Sequence, residues 1–230
     1  MNQKLVHMHI PKAAGTSVNS AFFSLYDESR ICPARYEPEF KEIDKSDYDF
    51  FTGHIGFNLA KDLGAQVFCL LRDPIDRFIS VYYYWRQLYE KEKRRQWGPV
   101  TANALSLEEF VERFDEVALT EEFYNRMTWQ VASSFHISER RRLVATTRTD
   151  LLEQATANLR KCAVVGRTED MPRFVADCRE VLGVELEVGQ ENVTARRPRY
   201  SEVSLDVRRK IARWVQLDLE LYWSVAKQQI

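Results

Sequence analysis

No apolar run in this chain of 230 residues approaches the roughly 20 residues that a membrane-spanning helix needs. Strand-forming residues begin at Leu5, which leaves no room for a secretory leader and predicts a cytoplasmic protein. The four cysteines, Cys32, Cys69, Cys162 and Cys178, contain no C-x-x-C pair, so neither a zinc site nor a disulfide framework is expected. In such a compartment the Asn192-Val-Thr194 sequon is a chance match. An excess of one charge is missing too. With 33 basic and 34 acidic residues the net charge is −1, so nothing draws the whole molecule to nucleic acid, and any anion must be held by a local patch. What is present is ordinary: 45% hydrophobic residues, enough for a sizeable core, and 29% charged, in a length that suits a single domain over residues 1–230.

The most informative stretch is the first, Lys4-Leu-Val-His-Met-His-Ile-Pro-Lys-Ala-Ala-Gly-Thr-Ser-Val18. Leu5 to Ile10 reads as a buried strand. The chain then passes Pro11, Lys12 and the small residues Ala13, Ala14 and Gly15 to two hydroxyls, Thr16 and Ser17. An amphipathic helix follows, with Val18, Ala21, Phe22 and Leu25 on one face. A strand, a tight loop and a helix N-terminus cradle phosphate or sulfate, because backbone N–H groups and the positive end of the helix dipole point at the anion. Lys12 adds a charge. The loop is not a Walker A sequence, whose lysine directly follows the second glycine. The plainer alternative is a βα turn that uses small residues for close packing.

Two further motifs follow. Tyr48-Asp-Phe-Phe-Thr-Gly-His-Ile-Gly-Phe57 predicts a strand that delivers His54 to a turn between Gly53 and Gly56, at the end where open α/β sheets gather ligands. A histidine satisfied locally in its loop is the bland alternative. Gln66-Val-Phe-Cys-Leu-Leu71 is apolar enough to be a central parallel strand. It runs into Arg72-Asp-Pro-Ile-Asp-Arg77, where Asp73 and Pro74 are a strong helix start. Arg72, outside that helix, and Ser80, inside it, make a second candidate anion site, unless Arg72 only pairs with Asp76.

Together these motifs resemble the sulfotransferase family. His9-Ile-Pro-Lys-Ala-Ala-Gly-Thr-Ser17 is similar to its 5′-phosphosulfate loop, although the family more often has Lys-Thr-Gly-Gly where this chain has Lys12-Ala-Ala-Gly15. Leu71-Arg-Asp-Pro-Ile-Asp-Arg-Phe-Ile-Ser-Val-Tyr-Tyr83 resembles its 3′-phosphate motif, including the eight-residue step from Arg72 to Ser80. The nearest resemblance is to the heparan sulfate 2-O-sulfotransferase branch, in which a Gly-His turn between these motifs supplies the catalytic base. The resemblance implies 3′-phosphoadenosine-5′-phosphosulfate as co-substrate, a hydroxyl acceptor such as a sugar or glycan, His54 as base and Lys12 at the bridging oxygen. It implies no metal. The 5′ group would lie on Lys12 to Ser17, and the 3′-phosphate on Arg72 and Ser80. The rivals are a nucleotide kinase or NTPase with a Mg²⁺-holding acid, and a nucleotide- or glycan-binding module without catalysis.

The rest of the chain is less specific. Residues 27–47 show little pattern. Lys91, Lys93, Arg94 and Arg95, followed by Trp97-Gly-Pro99, read as a solvated helix end and a mobile loop, or as a lip holding an acceptor. Helices are predicted over 107–114, 123–133 and 151–161, another is capped by Thr168, and a last one covers 207–225. Arg140-Arg-Arg142 reads as a solvated cluster. Asn192 to Arg199 is a basic loop, similar in position to the family's loop over 3′-phosphoadenosine, which would place Arg196 and Arg197 on the cofactor. Strands at 4–10, 48–52, 66–71 and 162–166 alternate with helices, predicting an α/β three-layer sandwich around a parallel sheet, P-loop-like in architecture.

Overall fold

The computed structural model describes residues 3–113, 120–135, 148–189 and 197–228. Arg140–Arg142, the sequon and Arg196 lie outside them. The strands are β1 (Leu5–Met8), β2 (Phe50–Gly53), β3 (Gln66–Leu71) and β4 (Val164–Arg167). The helices are α1 (Gly15–Phe23), α2 (Glu39–Glu42), α3 (Phe57–Asp62), α4 (Pro74–Glu92), α5 (Trp97–Ala104) and α6 (Leu107–Glu112). After them come α7 (Thr120–Phe123), α8 (Arg126–Ala132), α9 (Arg148–Leu159), α10 (Met171–Leu182), α11 (Leu205–Trp214) and α12 (Gln216–Gln228). The chain divides into two compact units. The first holds residues 1–72, 127–192 and 220–230, and the second 73–126 and 193–219.

The first unit carries the sheet, all parallel, in the order β2-β1-β3-β4. The chain steps one way from β1 to β2 and the other way from β2 to β3. Right-handed crossovers then put α1 and α3 on opposite faces, which is the expected three-layer plan. Every residue of β1 and β2 is buried, and only Gln66 of β3 is exposed. On the α1 face, Phe68 stacks on Phe22 at 4.5 Å and on His7 at 4.9 Å, and meets Phe174 of α10 at 6.2 Å. Gly166 lets α10 approach, since a Cβ there would lie 2.4 Å from the Phe174 ring. β2 is flanked on its outer side by the segment without pattern in the sequence, which bridges in parallel at Ile31–Phe50 and Tyr36–His54. β1, β2 and β4 are displaced or shorter than predicted, because only residues that exchange ladder hydrogen bonds remain as strand. β3 coincides with its prediction.

The second unit is helical around Phe78, Tyr82, Phe110, Phe123, Val207 and Ile211. Asp73 caps α4 through bonds from the Ile75 and Asp76 N–H groups at 3.0 and 2.9 Å, with Pro74 in the first turn as expected. Four expectations are corrected. Trp97-Gly-Pro99 opens α5 instead of forming a loop, because proline is tolerated in a first turn and Gly98 fits against Trp85, where a Cβ would come within 2.9 Å. The helix predicted over 123–133 breaks at Asn125, which is fully buried with φ 47°. The same Asn125 Oδ1 accepts from the N–H groups of Leu217 and Asp218 at 2.9 and 3.3 Å, so the C-terminal helix is two helices, the second starting on that cap. In the first unit, α10 is capped by Asp170 rather than Thr168, accepting from Arg173 N at 3.3 Å.

Gly166→Ala should destabilise the protein by about 1–3 kcal/mol, the usual range for overpacking a full core. Urea unfolding would show a lower midpoint with unchanged slope, and an unaltered midpoint would mean that Phe174 retreats freely.

Candidate functional site

The order β2-β1-β3-β4 reverses direction at β1, so the C-terminal ends of β1 and β3 flank the crevice where open sheets bind ligands. The loop from Ile10 to α1 fills the β1 side. Two of its residues, neither a glycine, are left-handed: Lys12 with φ 65° and Ala14 with φ 56°. Each such residue costs on the order of 1–2 kcal/mol. Alternating φ signs also turn successive N–H groups toward one concave side, as in anion-binding nests. Ala14, the residue before α1, offers no side-chain oxygen to cap it. Asp73, Ser106, Asp170 and Ser204 do so for α4, α6, α10 and α11. The first turn of α1, with buried Ser17 and exposed Thr16, therefore presents N–H groups that no intrahelical acceptor can take.

Two contacts fix this loop. Arg72, just past β3, donates from Nη1 to the Lys12 carbonyl at 2.8 Å. Gly15 lies directly on the His9 imidazole, where a Cβ would sit 1.8 Å from Nε2. The single glycine of the loop is thus a requirement of close approach. The motif order puts Arg72 near the loop, but nothing in the sequence marks its bond to the loop backbone.

His54 sits at the centre of a γ-turn closed by the Ile55 N–H to Gly53 carbonyl bond of 2.9 Å. Its own N–H donates to the Arg35 carbonyl at 2.8 Å. Its Nδ1 lies 3.2 Å from the His9 carbonyl, which can only accept, so a proton on Nδ1 is the one that this contact can use. Three rings surround it: His9 at 4.5 Å, Phe135 at 5.3 Å and half-exposed Tyr36 at 5.7 Å. Below the turn, Glu37 accepts from the N–H groups of Gly56 at 2.8 Å and Phe135 at 2.7 Å, and from Ser134 Oγ at 2.7 Å. Gln130 of α8 donates from Nε2 to the carbonyls of His9 at 3.0 Å and Ile55 at 2.8 Å. Tyr36, Glu37, Gln130 and Phe135 had no signal as site residues.

Behind this site the polar chain continues into the core. His7 Nδ1 lies 2.6 Å from Asn19 Oδ1, which also accepts from Thr52 Oγ1 at 2.8 Å. Burial pushes His7 down to about 4, against the pull of its bond to Asn19 and with a further push from His54. His9 is held well below 6.5, first by burial and then by His7, His54 and Lys12. Burial keeps both neutral at ordinary pH, so neither adds positive charge beside the loop.

Ser80 is buried in α4, within the second unit. There Arg197 is tied to Asp76, Nη2 to Oδ1 at 2.6 Å and Nη1 to the carbonyl at 3.0 Å. The basic end of α4 is engaged with its own surroundings, Arg94 pairing Glu92 at 2.9 Å and Arg95 lying 4.1 Å over the Tyr89 ring. Among the described residues no group of three or more His, Cys, Asp or Glu side chains is placed to hold a metal ion, and no helix is long and apolar enough to cross a membrane.

A family model described as "Sulfotransferase family" matches residues 1–223. The chain belongs to the sulfotransferase family. No curated protein matches it. Among solved structures, it is similar to mouse sulfotransferase SULT7A1 complexed with PAP, at 14% identity and a TM-score of 0.42. That match covers 93% of this chain, which spans 63% of the mouse chain. Within the sulfotransferase family assignment, the strand–loop–helix at Lys12 and the turn at His54 are the features with a chemical reading.

A histidine whose pKa falls from 6.5 to about 4 on folding makes stability depend on pH in one direction. The unfolded chain takes up the proton first, so stability is complete above pH 6.5 and is lost as pH falls toward 4. His7 alone accounts for about 3 kcal/mol of that loss at 1.36 kcal/mol per unit. The loss in the wild type should exceed that in His7→Asn by this amount when unfolding is compared at pH 7 and pH 4. Parallel curves would mean that His7 is protonated in the folded protein.

Proposed function

We propose that this protein transfers a sulfuryl group from 3′-phosphoadenosine-5′-phosphosulfate to a hydroxyl of a carbohydrate acceptor, with His54 as the general base. The observation that carries the reading is the His54 Nδ1 contact to the His9 carbonyl at 3.2 Å, which leaves Nε2 as the proton-accepting nitrogen beside an anion-binding loop. When bound, the donor supplies a sulfuryl group on a phosphate leaving group. The loop from Lys12 through Ala13, Ala14 and Gly15 to Thr16 and Ser17 holds the 5′ end with its N–H groups and hydroxyls, and Lys12 meets the charge that develops on the bridging oxygen. Arg72 keeps the loop in its left-handed shape through the Lys12 carbonyl and brings positive charge to the same strand end. A sulfuryl group carries less charge than a phosphoryl group, so this reading needs no metal ion.

His54 takes the acceptor's hydroxyl proton at Nε2 as the new S–O bond forms, which an alcohol requires at neutral pH. Tyr36, 51% exposed and next to His54, offers a ring face to a sugar, the arrangement that favours a carbohydrate over a smaller alcohol. By motif spacing Arg72 and Ser80 enter the reading as the 3′-phosphate partners, and by chain position Arg196 and Arg197 enter it as cofactor-binding residues. The kinase alternative has no lysine in the Walker position.

Adenosine 3′,5′-bisphosphate should stabilise the protein without magnesium far more than AMP does. At about 100 times its dissociation constant the bisphosphate adds about 2.7 kcal/mol, read as a thermal shift. Equal shifts from both nucleotides would remove the 3′-phosphate from the reading. His54→Ala should lower kcat by about 10²–10⁴ while leaving the bisphosphate shift unchanged, scored as labelled sulfuryl transfer to a panel of glycosaminoglycan oligosaccharides. Full activity in a folded His54→Ala protein would end the assignment of the base.

A further inference from the structure

We propose that Gln130 is a positioning residue that fixes the tautomer of His54. The inference rests on the reading of His54 as the base. Gln130 is fully buried on α8, far from His54 in sequence, and uses one nitrogen to tie together the two carbonyls on either side of the histidine. One is the His9 carbonyl, the acceptor that faces His54 Nδ1 at 3.2 Å. The other belongs to Ile55, the next residue after His54. An imidazole carries its proton on whichever nitrogen faces a fixed acceptor. The His9 carbonyl is such an acceptor only while it is held in place. It lies just past the end of β1, where the His9 N–H still bonds the Gly53 carbonyl at 3.0 Å, and Gln130 adds the restraint on the oxygen itself.

The chemistry of Gln130 itself supports this role over simple core filling. Both hydrogens of its amide are used, whereas Oε1 has no hydrogen-bond partner among the described residues. A buried carbonyl without a donor destabilises the fold, a penalty that leucine or methionine at this position would avoid. The surroundings also hold the amide in register. Asn158 donates to the carbonyls of Val131 at 2.9 Å and Ala132 at 3.2 Å, fixing the end of α8. The Asn58 N–H donates to the Ser133 carbonyl at 2.9 Å, and Glu37 ties Ser134 and Phe135 to Gly56. The turn holding His54 and the end of α8 holding Gln130 therefore move as one piece.

The test is histidine nitrogen NMR on the full chain at a pH where His54 is neutral, with its signals assigned by their loss in His54→Ala. The wild type should carry the proton on Nδ1. In Gln130→Met the ratio of Nδ1–H to Nε2–H forms should fall about tenfold, the equilibrium worth of roughly one net hydrogen bond. A merely structural glutamine would lower stability and leave the tautomer alone, so an unchanged ratio in folded Gln130→Met overturns the proposal. The wild type answers even if that variant does not fold. A His54 proton found on Nε2, or Gln130 amide hydrogens exchanging at the solvent rate, overturns it as well. Activity separates this inference from the reading beneath it. An inactive His54→Ala with an unchanged tautomer in Gln130→Met removes the positioning role alone, while a fully active His54→Ala removes the base and the purpose of positioning it.

Discussion

The His9 residue is the constraint on which the candidate site depends. Its imidazole lies against Gly15 so closely that no side chain fits there, which sets where α1 begins. Its carbonyl, at the end of β1, meets both the His54 ring and the Gln130 amide. One residue thus couples the Lys12 loop, the candidate base and α8. Its own ring stays neutral because burial and neighbouring histidines disfavour its charged form. A change that moved the end of β1 would disturb all three at once.

The loop itself stores strain. Lys12 and Ala14 occupy conformations that L-residues avoid, at a cost on the order of 1–2 kcal/mol each. Such conformations persist only where the surroundings impose them. Here the impositions are Arg72 on the Lys12 carbonyl and His9 under Gly15. Alanine at position 14 reaches a left-handed conformation that glycine would adopt freely, and tertiary contacts hold it there.

Buried polar groups form two networks with separate tasks. His7, Asn19 and Thr52 satisfy one another in the core beneath the loop, while Glu37 binds three donors under the His54 turn. Neutral side chains suit the first because it is dry, and a carboxylate suits the second because every bond that it accepts comes from a fixed donor. In the second unit Asn125 plays a comparable part, ending one helix and capping another.

The sequence by itself determined the parallel sheet, the strand–loop–helix at Lys12, the Asp73 cap and the grouping of His54 with the strand ends. Each is a local pattern: an apolar run, a small-residue loop before a helix, a capping residue before proline, a histidine after a strand. The family resemblance was legible for the same reason, since it rests on short contiguous motifs. Tertiary structure alone decided the rest. The break at Asn125 and the second start of the C-terminal helix come from one side chain reaching residues 92 and 93 positions away. The hold of Arg72 on Lys12 spans 60 positions, and that of Gln130 on His9 spans 121. No periodicity encodes such contacts. They follow from which strand ends the crossovers bring together, and a buried polar atom takes whichever partner the packing places within reach.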